Sequence, residues 1–329
     1  MKIDKQKEKE FYGKPFNFSY SSLNRLMFSP SLFYKDYILK EKEIRTDKHL
    51  IEGKLIHLLV FQPEKLDKEF SIVPGKVPSD SIKKVLKSIT LHTDVLELGD
   101  VEDFIILDSL KEENLYQSLK TDESRVEKVR TLGHGDYYEF MCTTGKDIID
   151  NDTLNSCQEK ADIIKSSERV MKLFNKGVTD FELDSLEVFK EKPLECKLQK
   201  YDFGLKGILD YYVMDHDKKE LHIVDLKTTG KTVSDFVDTV EFYNYWLQAA
   251  IYITLVLNNH KAAKEGGYKI LFTFVVIDKY NQVYPFSVSE ATMESWAIGM
   301  EGVLVSADYH YKERNYSLPY EFLVKEMTL

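Results

Sequence analysis

Between residues 185 and 228 the chain has little freedom to be anything but β structure. The runs 194–199, 205–213 and 221–228 are rich in apolar and β-branched residues. Tyr201-Asp202-Phe203-Gly204 and Asp215-His216-Asp217-Lys218, both turn formers, separate them. This pattern predicts a three-stranded antiparallel meander, with a further short strand over 185–189 ahead of it. Each of the three strands carries one acid near its centre, Glu195, Asp210 and Asp225, at equal intervals along the chain.

In a hairpin, opposite residues share a constant position sum and their Cβ atoms lie about 4.5–5.5 Å apart. Pairing Asp210 with Asp225 sets Val213 opposite His222 and centres the turn on Asp217-Lys218. Pairing Glu195 with Asp210 centres the other turn on Asp202-Phe203. On this register all three carboxylates share one face, and a slip of one residue would move a carboxylate to the other side. Asp225 and Lys227 share that face while Leu226 points into the core.

Carboxylates so close together repel unless a cation joins them. An all-oxygen site of this kind suits Mg²⁺ or Mn²⁺. The chemistry expected is metal-assisted hydrolysis of a phosphodiester, with Lys227 orienting or deprotonating the attacking water. The bland alternative is that these are ordinary polar residues on the wet face of a sheet, since D-x-K alone is a weak pattern. Glu195-Cys196-Lys197 matches the equivalent E-x-K just as well.

The rest of the chain frames this meander. With 329 residues and 43% hydrophobic content it can bury a sizeable core. Short helices are expected after Phe18 and over 31–39, a third over 48–61 with Gly53 and His57 on one face, and a long amphipathic helix over 240–257. A strand over 269–277 and a closing helix over 291–311 complete the order. The fold class expected is therefore α/β, with a mixed sheet flanked by helices and a mainly helical insertion. The boundaries expected are 1–62 for an N-terminal helical part, 63–183 for the insertion and 184–329 for the core.

Three cysteines, Cys142, Cys157 and Cys196, lack metal spacing and fall one short of a four-cysteine iron–sulfur cluster, so none is expected. They fit a reducing compartment, and no apolar run is long enough to span a membrane, so a soluble cytoplasmic protein is expected. A net charge of −10 is unusual for a DNA-binding chain. Residues 1–60 are nevertheless locally basic, with 12 Lys/Arg against 8 Asp/Glu.

Four elements in this order, Gly53-x-x-x-His57, Gly207-Ile208-Leu209-Asp210, Asp225-Leu226-Lys227 and Gln248-x-x-x-Tyr252, look like the RecB-type branch of the PD-(D/E)xK nuclease superfamily. The opening Ser21-Ser22-Leu23 to Ser29-Pro30-x-x-Phe33-Tyr34, with the phrase Gly53 to Pro63, looks more narrowly like phage and prophage exonuclease VIII (RecE-like) proteins. The resemblance spans roughly 18–70 and 185–280.

It implies a restriction-endonuclease-like core of helix, three-stranded antiparallel meander, helix and strand. It implies further that His57, Asp210 and Asp225 bind the metal and Lys227 is catalytic, with Glu195 in a supporting role. Gln248 and Tyr252, one helical turn apart, would lie beside the active site. Ser21, Ser22, Arg25 and Lys35 could meet phosphates near a DNA end.

The function expected is a Mg²⁺-dependent exonuclease at duplex DNA ends, serving recombination or phage replication in a bacterial or phage-infected cell. A single-strand annealing protein as partner and a homo-oligomeric ring are implied with it. The alternatives are a structure-specific endonuclease or nickase of the same fold, and a DNA-binding module without turnover.

Overall fold

The computed structural model describes residues 5–42, 47–73, 75–174 and 185–326. The chain divides into two compact units, one formed by 1–44 with 166–329 and the other by 45–165. The division falls at 44/45 and 165/166, where the sequence suggested 62/63 and 183/184; the latter boundary lies outside the described residues. The helix Lys48–Phe61, found over the span expected for it, therefore groups with the second unit.

The described strands are β1 (Asn17–Phe18), β2 (Phe70–Val73), β3 (Asp147–Asp150), β4 (Leu186–Lys197), β5 (Gly204–Asp215), β6 (Glu220–Thr229), β7 (Lys269–Asp278) and β8 (Val283–Val288). In the first unit they form one mixed sheet in the order β1-β5-β6-β7-β8, with β4 also on β5. The expected meander is β4-β5-β6, antiparallel throughout. Strand β7 then lies parallel to β6, which requires a crossover, and the helices Phe236–Phe242, Tyr245–Asn259 and Lys261–Glu265 provide it. Together with the helix Glu290–Glu313 this is the mixed α/β, restriction-endonuclease-like arrangement anticipated from the sequence.

The helix Tyr245–Asn259 buries Leu247, Ala249, Ala250, Ile251, Tyr252, Leu255 and Val256, an apolar stripe wide enough to cover the sheet. It packs into one core with Leu205, Leu209, Tyr212 and Met214 of β5, Leu221 and Ile223 of β6, and Phe272, Phe274 and Val276 of β7. The helix expected over 240–257 is in fact two, because Asn244 adopts a left-handed backbone (φ 56°) between them. Strand β8 was not expected; it contains Pro285, which marks it as an edge strand.

In the second unit β2 and β3 pair in parallel. The helices Asp80–His92, Asp103–Glu112, Asp122–Val129, Leu132–Thr143 and Asn151–Ser166 accompany them. Its own core gathers Val73, Val85, Leu86, Ile89, Ile106, Leu110, Val129 and Tyr138. This unit is mainly helical, as read from its charged helical stretches.

Candidate active site

The β5–β6 hairpin has the expected register. Val213 pairs with His222 and Tyr211 with Val224, where the ladder ends; just beyond it Asp210 meets the Asp225–Lys227 end of β6 by accepting the Leu226 backbone N–H. The β4–β5 hairpin does not. Glu195 pairs with Lys206, not with Asp210; it is exposed, and its Oε2 accepts the Asn17 Nδ2 hydrogen at 2.9 Å.

Lys190 pairs with Tyr211 and Lys192 with Leu209, so the acid opposite Asp210 is Glu191. A carboxylate oxygen of Glu191 lies within 4.8 Å of one on Asp210. The register differs from the expected one because 185–189 and 194–199 are not separate strands: β4 runs unbroken through Glu191 and Pro193.

Glu191 has a left-handed backbone, φ 45°, which costs an L residue energy and disturbs the alternation of a strand. The disturbance is visible on both strands. On β4, Phe189 on one side of Glu191 and Leu194 and Cys196 on the other all meet the same core. On β5, Leu205 and Leu209 before Asp210, and Tyr212 and Met214 after it, do likewise. The inward face thus changes phase at the same level of both strands, as a bulge does, while the pairing register is kept.

Asp225 is 0% exposed and Asp210 8%. Asp210 is fixed by accepting the Leu226 backbone N–H at 2.7 Å on Oδ2. The Lys227 Nζ pairs with Asp225 Oδ2, so the two share a face as the D-x-K spacing requires. The ammonium also lies 4.8 Å from the centre of the Tyr245 ring. Burial alone would lower the pKa of Lys227, but the neighbouring carboxylates of Asp225 and Asp210 outweigh it and hold the group above the usual lysine value.

Gln248 donates through Nε2 to the Tyr252 hydroxyl at 2.8 Å, one helical turn on. Burial, and then the charges of Asp225 and Asp210, push the Tyr252 phenol well above its ordinary pKa, so it stays a neutral donor. The reason this ring can lie against β5 is Gly207. A Cβ there would come within 3.0 Å of Tyr252 Cε1 and 3.1 Å of Leu255 Cδ1. Tyr20, from the helix Tyr20–Phe28, adds a second phenol raised by burial and by the nearby Tyr245 and Asp225.

The positions expected to meet phosphate fare differently. Ser22 is 1% exposed, and its hydroxyl belongs to a capping box with Ser19, so it serves the start of the helix Tyr20–Phe28. Arg25 donates through Nε to Asp36 at 2.7 Å, while Ser21 and Lys35 are exposed. His57 lies on the helix Lys48–Phe61 of the second unit, its ring 6.2 Å from that of Phe61.

Residues 154–308 match the family model of the PD-(D/E)XK nuclease superfamily. This stretch is a PD-(D/E)XK nuclease superfamily domain. The match takes in the whole of β4 to β8 and with it Glu191, Asp210, Asp225, Lys227 and Tyr252.

Among solved structures, the chain is similar to a candidate exonuclease from Eubacterium rectale (11% identity, 100% of this chain and 96% of that one, TM-score 0.48). It is similar also to SSO0001 (12% identity, 52% of this chain and 76% of that one, TM-score 0.22). No curated protein matches the chain.

The superfamily assignment makes this a hydrolytic nuclease domain, of a kind that uses divalent metals and acts on DNA. Among the described residues no helix is long and apolar enough to cross a membrane.

Proposed function

We propose that the protein is a Mg²⁺- or Mn²⁺-dependent DNA exonuclease of the RecB-type, RecE-like kind, hydrolysing phosphodiester bonds at duplex ends. The observation that carries this reading is the convergence of Asp210, Asp225 and Lys227 on adjacent strands, with Glu191 opposite Asp210. The donor set is made of carboxylate oxygens, which suits a hard divalent cation better than a soft one. Asp210, Asp225 and Glu191 would hold the ion.

When bound, such an ion polarises the phosphoryl group and lowers the pKa of water. The chain's own residues supply the rest. Lys227 places a positive charge beside the carboxylates, where the attacked phosphate gains negative charge. Gln248 and Tyr252, joined by their hydrogen bond, present a neutral donor pair on the same side.

The biological setting we propose is end resection for recombination or phage replication in the cytoplasm, beside a single-strand annealing protein. Assembly as a ring would gather basic residues inside and leave an acidic exterior, in keeping with a net charge of −10. We read the helix Lys48–Phe61 as belonging functionally to the nuclease, and 63–183 as an insertion.

The test is digestion of 5′- and 3′-labelled linear duplex beside closed circular DNA, with Mg²⁺ and with EDTA. Loss of label from linear DNA only, and only with Mg²⁺, is the expected result. Cleavage of the closed circle would move the assignment to an endonuclease, and no cleavage of either would leave a binding module.

A further inference from the structure

Next to the buried carboxylates the first unit displays aromatic rings that its own core leaves uncovered. Phe242 is 72% exposed and Tyr243 44%, and both sit where one crossover helix ends and the next begins. The left-handed backbone of Asn244 ends the helix Phe236–Phe242 and starts the next, so the chain turns here with these two side chains at its outer edge.

The rings form a series that leads inward. Phe242 and Tyr243 lie 4.9 Å apart and nearly perpendicular at 88°, so each offers its own face; Tyr243 and Tyr245 lie 5.6 Å apart and near-parallel at 26°, and Lys227 Nζ lies 4.8 Å from the Tyr245 ring. At the outer end the exposed Lys231 lies 5.5 Å from the centre of the Phe242 ring. Tyr20 anchors the series by donating its hydroxyl to the Tyr243 carbonyl.

We propose that Phe242 and Tyr243 form a stacking platform for unpaired nucleobases of the DNA strand entering the site, a reading that rests on the proposed nuclease function. A base has an aromatic face whatever its identity, so such a platform holds single-stranded or frayed ends without regard to sequence. Phosphate is the poorer fit for this helix. It carries Asp238 and Glu241, which offset the attraction of Lys231, so what it offers a nucleic acid is ring faces and not charge. The platform makes the enzyme's preferred substrate a duplex whose end is locally unpaired.

The test uses the full chain in EDTA, where cleavage is stopped, and fluorescence anisotropy with a blunt duplex, the same duplex with three unpaired nucleotides at one end, and an oligo-dT strand. The unpaired end and oligo-dT are expected to bind about five-fold or more tighter than the blunt duplex. Phe242→Ala and Tyr243→Ala should abolish that preference, while Phe242→Trp keeps it and its emission is quenched when oligo-dT binds. Both Ala positions are exposed, so thermal melting should match the parent. In Mg²⁺, Phe242→Ala should raise KM for the unpaired end with little change in kcat.

A preference that survives both Ala variants, or is absent from the parent, overturns the platform. So does a parent that self-associates and dissociates on Phe242→Ala. Failure of the parent to cut any DNA in Mg²⁺ would instead remove the nuclease reading, so the two failures are distinct.

Discussion

The carboxylate of Asp210 and the backbone N–H of Leu226 are joined at 2.7 Å across two strands, which fixes one acid of the site to the D-x-K strand that carries the other. Asparagine can still accept that hydrogen bond but brings no charge. Asp210→Asn is therefore expected to keep its melting temperature within a few degrees and to lose activity by about 100-fold or more. Asp210→Ala loses the bond as well, at about 1.5–3 kcal/mol in denaturant unfolding.

Glu191 and Glu195 make opposite predictions. Glu191→Gln is expected to reduce cleavage by about 10- to 100-fold and to raise the Mn²⁺ concentration needed for half-maximal rate, as removal of a group at a metal site does. Glu195→Gln, altering only an exposed contact with Asn17, is expected to leave the rate within about two-fold. A titration of initial rate against Mn²⁺ for both variants decides between the two registers.

Divalent metal should report on the same acids through stability. Mg²⁺ that binds the folded chain raises its melting temperature by mass action. The parent is expected to melt several degrees higher in 5 mM-scale Mg²⁺ (roughly a hundred-fold above a sub-millimolar Kd) than in EDTA. Asp225→Ala should show no such rise, as measured by scanning calorimetry in both buffers.

Gly207→Ala should destabilise the nuclease unit. The added methyl meets Tyr252 at 3.0 Å and Leu255 at 3.1 Å, and both are held in a packed core. The expected cost is about 1–3 kcal/mol, read as a lower urea midpoint at unchanged slope. Activity per folded molecule should fall too, because Tyr252 must shift.

Acid should weaken the fold through His222. Burial lowers its pKa to about 4, and its Nε2 lies 2.9 Å from Thr273 Oγ1. The unfolded chain takes up a proton near pH 6.5 and the folded one only near 4, so stability falls as pH drops through that window. The loss attributable to this one group is up to about 3 kcal/mol. His222→Gln should flatten that part of the stability profile between pH 4 and 6.5, measured by urea unfolding.

The parts of this molecule that the sequence made legible are those where one local signal suffices. The turn on Asp217-Lys218 fixed the β5–β6 register, because turn residues and the alternation of Leu221, Ile223 and Asp225 agreed. The helix Lys48–Phe61 was bounded by its apolar run and by Pro63.

The β4–β5 register was four residues out because the apparent turn, Tyr201-Asp202-Phe203-Gly204, is not all turn. Phe203 is buried, and Gly204 already belongs to β5, its backbone N–H bonded to the Phe16 carbonyl. Nor does composition reveal a glutamate in left-handed backbone within a strand, since the preference of L residues argues against it. The signal available was the apolar pair Val188-Phe189 continuing past Lys190 toward Leu194, with a longer loop after it.

The left-handed backbone of Glu191 also separates two kinds of selection. Holding an L residue in that conformation costs about 1–2 kcal/mol, which glycine largely avoids. A library screened only for thermal tolerance should therefore enrich Gly or Asn at 191, while one screened for DNA degradation should keep the acid. The position works as a marker by which a variant's history, ruled by folding or by chemistry, can be read from a single codon.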